Sequence, residues 1–291
     1  MTVAAVALAL AAAVANAFAV VLQALEDRQA PTSDSGRLAL LVGLAHRPRW
    51  LAGTALMVLA WPVQVLALSL ATISVVQPLL VADQLVLLAL ARARLDERVG
   101  QAEALGALAI VFGAVTVVVV SPHHAAHRAG APATVPLLAV GLAGLLMYAL
   151  ARLRAGAPLL LLVGAGLAYA WVDFASQLVA GTVSAHQWVY AALWLAAVIG
   201  IGGLAFLQET TALQHRPAVT VEPVIAAVHQ PLPVLMAFWA GIEAWGHGTA
   251  RLAILIAGLA VLTAGATLLG RSPSTDTWRA RPAPPPVASP T

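Results

Sequence analysis

Several polar side chains lie stranded inside long apolar runs, and burial in hydrocarbon is costly enough that each needs a partner, a cation or a use. Gln77 and Gln84 stand seven residues apart, nearly the same angle around a helix, with Asp83 beside the second. Glu222 and His229 repeat that spacing, with Gln230 beside the histidine. Asn16 and Gln23 do so again, and Asp173, Ser176 and Gln177 gather on one stretch near Tyr169. Gln64, and Gln208 with Glu209, lie close to the same pattern. A carboxylate at such depth must take up a proton or a cation, so Asp83 and Glu222 are the expected coupling or cation-binding groups, for a proton or for magnesium. Asp173 follows, whereas Glu209 is equally placed to face Arg216 at the membrane interface. For Asn16, Gln23 and Gln64 the competing role is an interhelical hydrogen bond worth about 1 kcal/mol.

Other chemistry has less behind it. The chain has no cysteine, which removes disulfides, thiol catalysis and cysteine-based metal sites. No zinc motif or nucleophile elbow is present, and Ser176 has no histidine at a competent spacing, so no catalytic residue and no enzyme is expected. His123, His124 and His127 resemble a metal tract but read as a solvated exterior loop. His229-Gln230-Pro231 places a helix breaker among polar groups, where freed carbonyls can bind a solute or a cation. Pro78 and Pro223 each read equally well as a kink or a helix start.

The elements that must hold these residues are membrane helices. Hydrophobic residues make up 61% of the chain and charged residues 9%, which suits a lipid solvent and no soluble core. Nine apolar runs are long enough to span, near 2 to 25, 50 to 71, 75 to 92, 101 to 120, 134 to 151, 158 to 181, 191 to 212, 218 to 238 and 251 to 270. Continuous rather than alternating apolarity makes them helices, so the expected class is an all-α polytopic membrane protein. Of its 15 basic residues, all arginine, only Arg128 and Arg251 fall on the face opposite the rest. The N-terminus is therefore expected outside and the C-terminus inside, and the basic charge reflects topology rather than nucleic-acid binding. Ala15-Asn16-Ala17 resembles a signal cleavage site, but no positive charge precedes the apolar run and Arg28 follows it, as a spanning first segment requires.

Residues 1–271 form the expected transmembrane domain. Within 26–49 the stretch Leu38 to Leu44 is too short to span and reads as an interfacial helix in a cytoplasmic loop, while 272–291 is a Pro-, Ser- and Thr-rich tail expected to be disordered. Trp50, Trp188 and Trp245 read as interfacial anchors, and Asp96-Glu97-Arg98 as local charge pairs. Ala67-Leu68 followed by Val76-Gln77-Pro78 recurs as Ala212-Leu213 followed by Val221-Glu222-Pro223, a constant offset of 145 residues. The copies are separated by an odd number of spans and so run oppositely, giving repeat 1 (about 1–151) and repeat 2 (about 157–271). Gly106 and Gly113 correspond likewise to Gly258 and Gly265. Inverted repeats place a transporter's site near the midplane between them, and the first, third, sixth and eighth segments are expected to line it.

Arg47-Pro48-Arg49-Trp50, Gln64 to Leu68, Ser74-Val75-Val76-Gln77-Pro78-Leu79, Asp96-Glu97-Arg98-Val99 before Gly106 and Gly113, and Ser121-Pro122 together resemble the drug/metabolite transporter superfamily, in particular its bacterial NIPA-like and EamA-like members. The resemblance implies inverted five-helix units lacking the tenth helix, and exporter or ion-transport activity in a bacterial plasma membrane. Its partners would be the lipid bilayer and a small solute or ion, with a proton or magnesium as coupling ion or substrate and no other cofactor. In the second half Ala240-Gly241-Ile242-Glu243 lacks an adjacent arginine and His215-Arg216 precedes Pro217, which departs from the pattern and leaves the substrate open. A non-transporting scaffold or transporter subunit is the other reading; it requires the polar stripes to be consumed by one another. Ala- and Gly-rich faces can pack within one chain or in a homodimer.

Overall fold

Backbone groups in hydrocarbon must satisfy one another, and the apolar runs accordingly coil into helices. The computed structural model describes residues 3–30, 37–95, 100–120, 134–153, 158–240 and 249–270, and every regular element among them is an α-helix. The histidine tract, Asp96 to Val99, Ser121-Pro122, residues 241–243, Trp245 and the tail 272–291 lie outside the described residues.

In order the helices are α1 (Val3–Asp27), α2 (Leu38–Leu44), α3 (Pro48–Leu70), α4 (Ile73–Leu80), α5 (Ala82–Arg94), α6 (Gln101–Val120), α7 (Thr134–Leu153), α8 (Pro158–Ser184), α9 (Trp188–His215), α10 (Ala218–His229), α11 (Pro231–Trp239) and α12 (Thr249–Gly270). Seven stretches are long and apolar enough to cross a membrane: α1, α3, α4 with α5, α7, α8, α9, and α10 with α11. Helices α6 and α12 contain shorter apolar stretches, Ala104–Val117 and Thr249–Gly265. Leu108, Phe112, Leu138, Leu142 and Ile199 are each 65 to 67% exposed, an outer surface that only lipid can cover. The chain is a polytopic membrane protein.

Two expected spans are broken in the middle. Val81 stands between α4 and α5 at φ −59° and ψ −16°, and Gln230 stands between α10 and α11 at φ −76° and ψ −45°. Pro231 explains the second break, because it has no N–H to continue the ladder. Pro78 and Pro223 remain inside α4 and α10, each the sixth residue of its helix. Pro62 is likewise carried within α3.

The 145-residue offset found in the sequence also relates backbone features. Helix α3 ends at Leu70 and α9 at His215; α4 begins at Ile73 and α10 at Ala218. The linking residues match in conformation, Ala71 (φ −148°, ψ 164°) with Arg216 (φ −142°, ψ 151°), and Thr72 (φ −70°, ψ 156°) with Pro217 (φ −65°, ψ 147°). Packing repeats too: α1 lies on α3 as α8 lies on α9, and α3 reaches α8 as α9 reaches α1.

Helices α6 and α12 cross antiparallel at van der Waals distance through glycines. A Cβ on Gly113 would lie 2.7 Å from the Gly258 carbonyl oxygen and 2.6 Å from the Leu262 nitrogen, and one on Gly265 would lie 2.6 Å from the Gly106 carbonyl oxygen. Any side chain there would hold the helices apart.

Trp50 differs from its expected place. It is 4% exposed, packed against Phe206 at 5.6 Å between ring centroids and against Leu40 and Leu44 of α2. The short α2 covers it, which is why it is buried while Trp188 is 63% exposed. Glu26 and Arg47 pair at 3.2 Å beside it, tying the end of α1 to the start of α3.

Candidate functional site

A cavity of about 390 Å³ lies among α1, α3, α5, α8, α9 and α10. Each helix turns one face to it, as the 3.6-residue period dictates. Helix α3 gives Thr54, Met57, Val58, Trp61 and Gln64, and α9 gives Leu195, Val198, Ile199, Gly202, Gly203, Phe206 and Glu209. Asn16 and Val20 come from α1, Asp83 and Gln84 from α5, Tyr169, Val172 and Asp173 from α8, and Glu222, Ile225, Ala226 and His229 from α10, with Gln230 at its end. The mouth lies between α3 and α9, where the lining residues Val58 and Ile199 are 59% and 66% exposed.

The polar groups form two linked hydrogen-bonded sets. Gln64 Nε2 donates to Asp173 Oδ1 at 2.7 Å, and His229 Nε2 bonds the other oxygen, Oδ2. Tyr169 donates its hydroxyl to Glu209 Oε2, and its ring lies 5.5 Å from that of His229. The Glu209 and Glu222 carboxyls adjoin within hydrogen-bonding reach. Two carboxylates so placed in a low-dielectric site repel strongly unless a proton or a cation lies between them.

Several acceptors of the cavity wall go unmatched. Asp83 Oδ1, Gln84 Oε1, Glu222 Oε1 and Gln230 Oε1 are buried acceptors without a hydrogen-bond partner. Four carboxyl groups line the cavity, with His229 the sole basic side chain in the lining and no arginine. Buried polar atoms in folded proteins are almost always satisfied, so this surplus of acceptors calls for protons or a positively charged, donor-bearing guest. Much of the remaining wall is aliphatic, with the aromatic rings of Trp61, Phe206 and Tyr169 among it. Among the described residues, no three His, Asp or Glu side chains converge as a metal cage.

Of the residues singled out in the sequence, Asn16, Gln64, Asp83, Gln84, Asp173, Glu209, Glu222, His229 and Gln230 line this one cavity. Glu209 is 4% exposed in its wall. Gln77 is wholly buried to one side with both amide atoms unpartnered, and Gln177 is also outside the lining with Oε1 unpartnered. Gln23 lies under the cavity floor, its Nε2 3.4 Å from the hydroxyl of the lining residue Thr54. Ser176 accepts from Trp61 Nε1 at 2.9 Å and donates to the Val172 carbonyl at 2.7 Å, so its hydroxyl is fully used.

Sequence reading missed Thr54, Trp61, Phe206 and Asp27. The first three sit among equally apolar neighbours. Asp27 carried a usable signal, since it follows Gln23 by four residues and continues the stripe begun at Asn16. The chain matches no family model, no curated protein and no solved structure.

Proposed function

We propose that this chain is a secondary transporter that carries a small, positively charged solute with an apolar body across a bacterial plasma membrane, in exchange for protons. The observation that carries the reading is the acceptor-rich cavity between the chain's two halves, four carboxyls and unmatched amide oxygens within a largely apolar wall. A guest cation entering it takes the place of a proton on the Glu209–Glu222 pair, so the charge of the cavity is conserved and the two species compete. The opening between α3 and α9 gives such a guest an apolar approach.

In this reading α6 and α12 complete nine spans, the N-terminus is outside and the C-terminus inside. The 145-residue relation then makes the halves inverted repeats, and alternating access follows from exchanging their conformations. The sequence motifs quoted above support placing the chain with the drug/metabolite transporters. Magnesium is the second candidate cargo, favoured by the unpartnered oxygens of Asp83 and Glu222.

The test is flux in proteoliposomes, varying a pH gradient and magnesium separately. Labelled methylphenylpyridinium, whose positive charge is permanent, is the probe. The parent should accumulate it against a pH gradient, and Glu222→Gln should not. Flux of neither probe nor magnesium, or flux indifferent to both gradients and to the substitution, sinks the proposal.

A further inference from the structure

Asp27, the last residue of α1, is wholly buried, and its carboxyl faces the Trp50 indole N–H without a well-formed hydrogen bond. Gln23, one turn back on α1, bonds Thr54 through Nε2 and leaves Oε1 buried and unmatched. A carboxyl buried with so little hydrogen bonding is costly to keep charged and is suited to holding a proton. Trp50, which adjoins Asp27, stacks on Phe206, a wall of the cavity, with 5.6 Å between ring centroids. The charged neighbours of Asp27 are Glu209 from α9 on the cavity side, Arg47 from the start of α3, and Arg28 next along the chain. Asp27 therefore stands between the cavity's carboxyls and the arginine-bearing end of the molecule.

We propose that Asp27 is a second proton-binding site, an inner station that accepts the proton displaced from Glu209 and passes it to the arginine-bearing face. The O–H bond on Glu209 breaks and one forms on Asp27, with water admitted when the Trp50–Phe206 pair separates. The negative charge moves the other way, from Asp27 to Glu209, where the arriving cation meets it. Loss of the same proton from Asp27 to water regenerates its carboxylate, and Glu209 takes up a new proton when the cation leaves. Arg28 and Arg47 favour that second step by stabilising the regenerated carboxylate.

The inference rests on the transport reading, and two assays on the full chain in liposomes keep the two apart. Exchange of labelled for unlabelled methylphenylpyridinium at equal pH moves no net proton and tests transport. Accumulation driven by a pH gradient requires the proton path. Asp27→Asn should leave exchange unchanged and slow gradient-driven accumulation by on the order of a hundredfold, as loss of a positioned proton carrier does. Gradient-driven accumulation at the parental rate, or loss of exchange along with it, overturns the inner station. No exchange by the parent overturns the transport reading instead. Should Asp27→Asn fail to fold, the infrared carboxylic C=O band of the parent is titrated against that of Asp27→Glu. A band that differs between them supports protonation at this site, and identical titrations overturn it.

Discussion

At the scale of single residues, the carboxyls of the cavity differ in what holds them. Asp173 is bonded on both oxygens, Glu209 takes the Tyr169 hydroxyl, and Asp83 and Glu222 each keep a buried oxygen open. Tyr169→Phe should therefore cost about 1–3 kcal/mol, the penalty of an orphaned buried acceptor, read as a lower unfolding temperature in detergent. Trp61→Phe should cost less, because Ser176 keeps its bond to the Val172 carbonyl. In the proposed exchange protons and the cation compete for one set of carboxyls, so binding of methylphenylpyridinium should weaken as pH falls and tighten as it rises, and Glu222→Gln should flatten that dependence in a titration calorimetry series. Most of the cavity's polar residues were legible in the sequence because a polar group in an apolar run stands out against its surroundings. Spacing gives an angle around a helix but not the neighbour it meets, which is why Gln77 and Gln177 were grouped with residues that reach the cavity.

At the scale of helices, seven of the expected spans were legible because lipid leaves the backbone so little choice. One break point was legible, at His229-Gln230-Pro231, and the other was not: α4 ends at Val81, three residues beyond Pro78, while Pro223 ends no helix at its own position. Proline removes one bond, and the neighbouring packing decides where the helix yields. Trp50 was misplaced for a related reason, since only the folding back of α2 turns an end-of-helix tryptophan into a buried one. The α6–α12 crossing gives a sharp test of close packing. Gly113→Ala would drive a methyl into Leu262 backbone and should destabilise by about 1–3 kcal/mol. Gly200→Ala, with nothing within 4 Å, should instead gain a few tenths to about 1 kcal/mol through helix propensity. Thermal unfolding of both variants beside the parent checks the contrast, and equal melting would count against the crossing.

At the scale of the whole molecule, orientation is open to direct measurement because the chain has no cysteine of its own. With the N-terminus outside, His186→Cys between α8 and α9 should react with an impermeant maleimide added to intact cells, and Gln29→Cys should react only after lysis. The opposite pattern would invert the topology. The 145-residue offset was readable as a handful of letters, while the backbone agreement at Ala71–Thr72 and Arg216–Pro217 lay beyond any sequence reading, since those pairs share no residue type.

The glycine crossing also bears on energy. Gly106 meets Gly265 and Gly113 meets Gly258, so each glycine touches the counterpart of its own helical neighbour, and the contact looks alike from either side of the membrane. A seam of that kind has no built-in preference for tilting one way. In the proposed transport cycle, a rocking motion about this seam would meet the same glycine contacts whichever way it tilts.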